Sequence, residues 1–168
     1  MRIAVVSDIH GNLTALDAVL ADLRQVAADL VVHGGDLVGS GSRPAEVIDR
    51  IRDLRWPGVY GNTDEMLWRP ERLTEMLGAP QFDRMREVLI TQIIPATLDA
   101  IGNDRLAWLR ALAIRWSAHD LTVVHAGPDD CGRFRVRPAE RLRREHRRRT
   151  RAQRRDGARV ERGPQRAV

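Results

Sequence analysis

The segment Arg2-Ile-Ala-Val-Val-Ser-Asp-Ile-His-Gly-Asn-Leu13 decides the fold. Its first half is a short aliphatic run that ends in polar residues, which predicts a buried strand of a parallel sheet. Aliphatic residues then recur at three- and four-residue spacing, which predicts a helix with one apolar face. They are Leu13, Leu16, Val19, Leu20 and Leu23. The segment therefore predicts a strand, a polar loop and a helix.

The same unit recurs along the chain. Residues 29–33 form a second aliphatic run that ends in Gly34-Gly35-Asp36, and a second apolar stripe follows Pro44, a residue that favours the first turn of a helix. A third short strand is predicted at residues 58–60, directly before Gly61-Asn62. Three strands alternating with two helices predict an α/β fold with parallel strands and right-handed crossovers.

The second half of the chain has a different pattern. Residues 64–112 are mostly helical in pattern, with breaks at Pro70, residues 78–80, Pro95 and Gly102. Residues 114–117 and 121–125 then predict a β-hairpin, and its second strand ends at His125.

Charge divides the chain into two predicted parts, a folded domain at residues 1–130 and a basic tail at residues 131–168. The domain contains 13 Arg against 19 acidic residues, whereas the tail contains 15 Arg against 4. The tail has few large apolar residues, so we expect it to be disordered. Its charge would favour sequence-independent binding to nucleic acid or to an anionic membrane.

Composition excludes several classes of protein. The length of 168 residues predicts one domain, and the single cysteine, Cys131, excludes an internal disulfide framework. No apolar run reaches the roughly 18 residues that a membrane helix needs, and the aliphatic run at residues 3–6 is too short for a secretory signal. We therefore expect a cytoplasmic protein without a membrane span.

Polar side chains follow each predicted strand. In open α/β sheets, ligands bind beyond the carboxyl ends of the strands, where the loops converge. Carboxylate, amide and imidazole groups are costly to bury together unless a cation satisfies them, and this donor set suits manganese, iron, zinc or nickel. The sequence predicts a metal site made of Asp8, His10, Asp36, Asn62 and His125.

Four motifs in order carry a family resemblance. They are Ser7-Asp8-Ile9-His10-Gly11-Asn12, Gly35-Asp36-Leu37-Val38-Gly39, Gly61-Asn62-Thr63-Asp64, and His125 after an aliphatic strand. Over residues 1–130 the sequence resembles the calcineurin-like metallophosphoesterases, and within them the small bacterial and archaeal phosphodiesterase branch. The resemblance implies a sandwich of β-sheets flanked by helices.

The resemblance also implies a role for each ligand. Asp8 and His10 would bind one divalent ion, Asn62 and His125 a second, and Asp36 would bridge the two. A hydroxide held between the ions would attack phosphorus, so Asp36 and Asn62 are the implied catalytic residues. Manganese is the favoured metal, with iron, zinc or nickel as alternatives. The implied substrate is a small-molecule or nucleotide phosphodiester or phosphomonoester.

The sequence departs from the family pattern at two places. Thr63 occupies a position where many relatives have a histidine that can protonate the leaving group, which implies slower turnover of poor leaving groups. The Gly-His-x-His motif that normally follows the last histidine strand is absent, and His146 lies among arginines that would repel a metal ion. We therefore expect a domain that lacks its last strands and binds metal weakly, and a frameshift near residues 127–133 is one hypothesis for its origin.

Alternatives stay open at this stage. The chain could be a catalytically impaired member of the fold that binds nucleic acid through its tail, or a remnant that does not fold stably. His33 is predicted to be packed in the core rather than to bind metal, and His119 to lie in a solvated turn. The four tryptophans are predicted to lie in the core or at its rim rather than to stack on bases.

Overall fold

The structure is a computed structural model of the chain, and it describes residues 1–118 and 121–127. The predictions for His119, Cys131, His146, the basic tail and the closing strands concern residues outside these ranges.

The fold of the described residues is α/β. Strands and helices alternate at the start of the chain, as the sequence pattern predicts, and a run of helices then leads to two consecutive strands. A 3-10 turn at Pro80–Phe82 and a π-helical turn at Leu89–Ile93 lie on either side of residues 83–88. In chain order the elements are β1 (Ile3–Val6), α1 (Leu13–Val26), β2 (Leu30–His33), α2 (Pro44–Leu54), α3 (Asn62–Glu65), α4 (Arg72–Met76), α5 (Asp83–Val88), α6 (Ile94–Ala111), β3 (Arg115–Ala118) and β4 (Leu121–Val124).

Strands β1 and β2 pair in parallel, with Ile3 opposite Leu30 and Val6 opposite His33. The predicted third strand at residues 58–60 is present only as bridges, from Gly58 to His33 and from Val59 to Ala113. This part of the prediction was too strong, because the chain turns away after two residues of pairing. The predicted hairpin is confirmed, since β3 and β4 pair antiparallel.

Two apolar clusters cover the two faces of the sheet formed by β1 and β2. The larger one joins Leu16 of α1, Ile48 and Ile51 of α2 and Leu109 of α6, all of which are at most 1% exposed. The smaller one joins Val32, Val59 and Val123. The helices therefore cover one face and the hairpin covers the other. The four tryptophans pack partly buried against these clusters, as predicted: Trp56, Trp68 and Trp108 against the larger and Trp116 against the smaller.

The prediction that β1 is buried on both faces was wrong. Val5 is 53% exposed, although its partner Val32 on β2 is fully buried. The cluster that the hairpin forms with β2 on this face includes Ile3. In the described residues, no helix is long and apolar enough to cross a membrane.

Candidate metal centre

Backbone hydrogen bonds join the loop after β1 to the loop after β2. The amide of Asp8 donates to the carbonyl of Gly35 at 3.1 Å, and the amide of His10 donates to the carbonyl of Asp36 at 2.9 Å. The amide of Gly11 donates to the carbonyl of Leu37 at 2.8 Å. The two loops thus continue the parallel pairing of their strands, which fixes Asp8 and His10 relative to Asp36.

The three ligand candidates in these loops have a strained backbone. Asp8, His10 and Asp36 have φ of 59°, 51° and 54°, in the left-handed region that non-glycine residues rarely adopt. Among the described residues, the other two non-glycine positions with positive φ are Ala27 and Arg55, which terminate α1 and α2. Helix ends commonly adopt this conformation, whereas its clustering at strand ends is typical of functional sites.

The first group of ligand atoms consists of Asp8, His10 and Asp36. One ligand atom from each lies within 4.8 Å of the others. His10 Nε2 lies 3.7 Å from both Asp8 Oδ1 and Asp36 Oδ2. The Asp8 side chain is 59% exposed and that of Asp36 only 4%, so the group opens to solvent on the Asp8 side.

The second group consists of Asp36, Asn62 and His125. His125 Nδ1 lies 2.8 Å from the carbonyl oxygen of Gly34, and because a carbonyl only accepts, Nδ1 carries the proton. His125 Nε2 then faces Asn62 Oδ1 at 3.0 Å and Asp36 Oδ2 at 3.5 Å. Asp36 Oδ2 thus faces both histidines, while its Oδ1 accepts from the amide of Thr63 at 2.8 Å.

This arrangement fits bound cations. Nitrogen and oxygen ligand atoms converge in both groups, and a cation bound among them would satisfy their lone pairs. The donor set of two carboxylates, one amide and two imidazoles suits manganese, iron, zinc or nickel. Asp36 is the one residue common to both groups.

Glycines allow the loops to approach this closely. Gly35 has φ of 89°, and a Cβ there would lie 2.5 Å from the amide nitrogen of Gly61. A Cβ at Gly61 would overlap the Asp36 carboxylate. Any side chain at either position would therefore force apart the loops that carry Asp36 and Asn62.

Asp64 is a buried carboxylate beside these loops that the sequence analysis did not single out as a functional residue. It is fully buried, and burial raises its pKa to about 7, with the nearby Asp36 acting in the same direction and its backbone hydrogen bonds opposing it. One sequence signal was present: a side chain three positions after the N-cap residue of a helix can accept from the N-cap amide, as one half of a capping box. Asp64 does this at α3, where Oδ2 accepts from the amide of Gly61 at 2.9 Å.

Two other residues take structural contacts. The Thr63 hydroxyl donates to the carbonyl of Val38 at 2.8 Å. His33 is fully buried near Trp108, with 6.3 Å between ring centroids, as expected for a packed histidine. Burial lowers the pKa of His33 to about 4, and the Val59 backbone acts in the opposite direction.

The sequence matches a known family over the whole described region. The family model for calcineurin-like phosphoesterases matches residues 1–154. An uncharacterised protein of Methanocaldococcus jannaschii is 48% identical over 62 residues, which make up 37% of this chain and 26% of that protein.

Two solved structures are also similar. A metallophosphoesterase from Sphaerobacter thermophilus aligns with a TM-score of 0.59 and 32% identity, over 78% of this chain and 49% of that one. A protein provisionally assigned as a diadenosine tetraphosphatase aligns with a TM-score of 0.53 and 27% identity, over 83% of this chain and 54% of that one. The chain thus spans about a quarter of the curated relative and about half of each solved protein. With the family model matching most of its length, the chain belongs to the calcineurin-like phosphoesterase family.

Proposed function

We propose that the chain hydrolyses a phosphodiester or phosphomonoester with the help of two divalent metal ions. Manganese is the metal that we favour. The observation that carries this proposal is that one carboxylate oxygen, Asp36 Oδ2, faces a histidine of each group of ligand candidates. Asp36 Oδ2 faces His10 Nε2 at 3.7 Å and His125 Nε2 at 3.5 Å, although the two histidines are far apart in the sequence. Membership of the family supports the same chemistry.

The ions would supply one kind of chemistry: two divalent cations lower the pKa of a water molecule between them and neutralise charge on phosphoryl oxygens. The residues of the chain would hold and orient this centre. Asp8 and His10 would bind the first ion, Asn62 and His125 the second, and Asp36 both. The Gly34 carbonyl fixes the tautomer of His125, so that Nε2 faces the site.

Exposure of the site supports approach of substrate from the Asp8 side. Asp8 is 59% exposed and its Oδ2 accepts from the Ser7 hydroxyl at 2.6 Å, which orients the carboxylate at the mouth. Asp36 and His125 form the floor, with side chains 4% and 7% exposed. A phosphoryl group entering from the mouth would therefore meet the floor ligands last. The name of one solved relative suggests dinucleoside polyphosphates as one substrate class to test.

Hydrolysis of bis(4-nitrophenyl) phosphate by the purified chain with added Mn²⁺ tests the proposal. We expect activity that requires metal and that falls at least about 100-fold in Asp36→Asn, because loss of the shared carboxylate weakens binding of both ions. The matched control is Asp22→Asn, which makes the same change on the exposed surface of α1 and should keep full activity. Metal-dependent hydrolysis that persists in Asp36→Asn would contradict the assignment of the centre.

A further inference from the structure

The Asp64 carboxylate connects two loops that are far apart in sequence. Oδ1 accepts from the amides of Leu37 at 2.9 Å and Val38 at 3.1 Å, and Oδ2 accepts from the amide of Gly61 at 2.9 Å. All of these atoms are buried. Because both oxygens are occupied by backbone donors, Asp64 supports the site rather than binding metal in it.

The three donors lie beside predicted ligands. Leu37 and Val38 directly follow Asp36, and Gly61 directly precedes Asn62. Thr63 makes the return connection: its amide donates to Asp36 Oδ1 and its hydroxyl donates to the Val38 carbonyl, both at 2.8 Å. Four hydrogen bonds thus join the Asp36 loop to the Asn62 loop, and Asp64 makes two of them. The bond to Gly61 holds the Asp64 carboxylate within its own loop.

The other ligands reach the Asp36 loop without Asp64. Asp8 and His10 are joined to it by the backbone bonds to the carbonyls of Gly35 and Asp36, and His125 is joined to it through the Gly34 carbonyl. Asn62 lies beyond the last sheet bridge, which ends at Val59. Asp64 and Thr63 make the side-chain hydrogen bonds that tie its loop to the Asp36 loop.

We propose that Asp64 is a positioning residue that holds Asn62 in register with Asp36 and His125, and so sets the affinity of the second metal site without affecting the first. This inference rests on the proposed function. Replacement of Asp64 by Asn keeps the shape of the side chain but puts an NH₂ group against at least one backbone donor, so at least one of the three bonds is lost.

Mn²⁺ binding measured by equilibrium dialysis and calorimetry tests the proposal independently of activity. The wild-type chain should bind two ions, and Asp8→Ala and Asn62→Ala identify which binding step belongs to which site. We expect Asp64→Asn to weaken the site lost in Asn62→Ala by about 10- to 100-fold, the range found for residues that support ligands, and to leave the other site within about 2-fold.

Glu65→Gln is the matched control. Glu65 is the next residue and is also a buried carboxylate, but its Oε1 pairs with Nη1 of Arg69, four residues further along the chain, at 2.8 Å. The Glu65→Gln variant should change the Mn²⁺ affinity of neither site by more than about 2-fold, whatever its effect on the free energy of unfolding. Equal weakening of both sites by Asp64→Asn, or no weakening, would overturn the proposal.

A milder variant covers the case in which Asp64→Asn does not fold by circular dichroism. Thr63→Val removes only the hydroxyl bond to Val38, and it should weaken the second site in the same direction by a smaller factor. Unchanged binding by Thr63→Val would then overturn the positioning role. Absence of Mn²⁺ binding by the wild-type chain would instead contradict the proposed function, and the role of Asp64 with it.

Discussion

At the scale of single residues, the site concentrates backbone strain and buried polar groups in a few positions. Asp8, His10 and Asp36 all have left-handed φ, a conformation that costs a non-glycine residue about 1 kcal/mol or more. Backbone pairing between their two loops holds them in place. The fold therefore stabilises three residues in conformations that they would not adopt alone, and all three are ligand candidates.

His33 makes the stability of the fold depend on pH. Its pKa is lowered to about 4 in the folded chain, against an ordinary value of about 6.5 in the unfolded chain. Between these values the unfolded chain takes up a proton that folded His33 does not. The stabilisation that depends on neutral His33 is fully present above about pH 6.5. As pH falls from there toward 4, the free energy of unfolding decreases by roughly 1.4 kcal/mol per pH unit.

His33→Phe removes this titration. Urea unfolding of both proteins at pH 7, 6 and 5 without added metal measures the effect. We expect the free energy of unfolding of the wild-type chain to fall relative to that of the variant as pH is lowered, with most of the change below pH 6.5. A constant difference between the two proteins over this range would show that folded His33 titrates normally.

The ligand candidates could be predicted from sequence because each follows a strand. Asp8, Asp36 and Asn62 each come directly or almost directly after an aliphatic run, and His125 follows the last one. The role of Asp64 could not be predicted in the same way. Its partners Leu37 and Val38 lie 27 and 26 residues away, so the contact is visible only once the loops are placed in space.

At the scale of elements, the pattern of hydrophobic residues predicts type well and burial poorly. Pro44 begins α2 as expected, and Pro95 lies in the first turn of α6. The exposure of Val5 was not predictable, because the sequence of an aliphatic strand does not show whether a second layer covers its outer face. The short pairing at Gly58 and Val59 could not be predicted for a related reason, because the length of a strand depends on how far it runs beside its neighbouring strand.

Val5 and Val32 provide a matched test of this arrangement. They are partners in adjacent strands, but Val5 on β1 is 53% exposed, whereas Val32 on β2 is fully buried and packs in one cluster with the hairpin. We expect Val32→Ala to lower the free energy of unfolding by about 2 kcal/mol and Val5→Ala by less than about 1 kcal/mol. Urea denaturation of the two variants measures both values, and equal losses would mean that the outer face of β1 is covered in solution.

At the scale of the whole molecule, all five ligand candidates lie in the described ranges, residues 1–118 and 121–127. The chain spans about half of the solved relatives, and the family match runs through residue 154. The domain boundary at residue 130, the weak metal binding and the binding of nucleic acid by the arginine-rich tail stay predictions from the sequence. The contacts that form the candidate metal centre all lie within the described part of the chain.

Anomalous X-ray scattering at the manganese edge, from crystals of the full chain grown with Mn²⁺, tests the central claim most directly. We expect two peaks about 3.5 to 4 Å apart, one beside Asp8 and His10, the other beside Asn62 and His125, with Asp36 between them. A single peak, or peaks away from Asp36 in crystals that contain bound manganese, would contradict the two-ion centre.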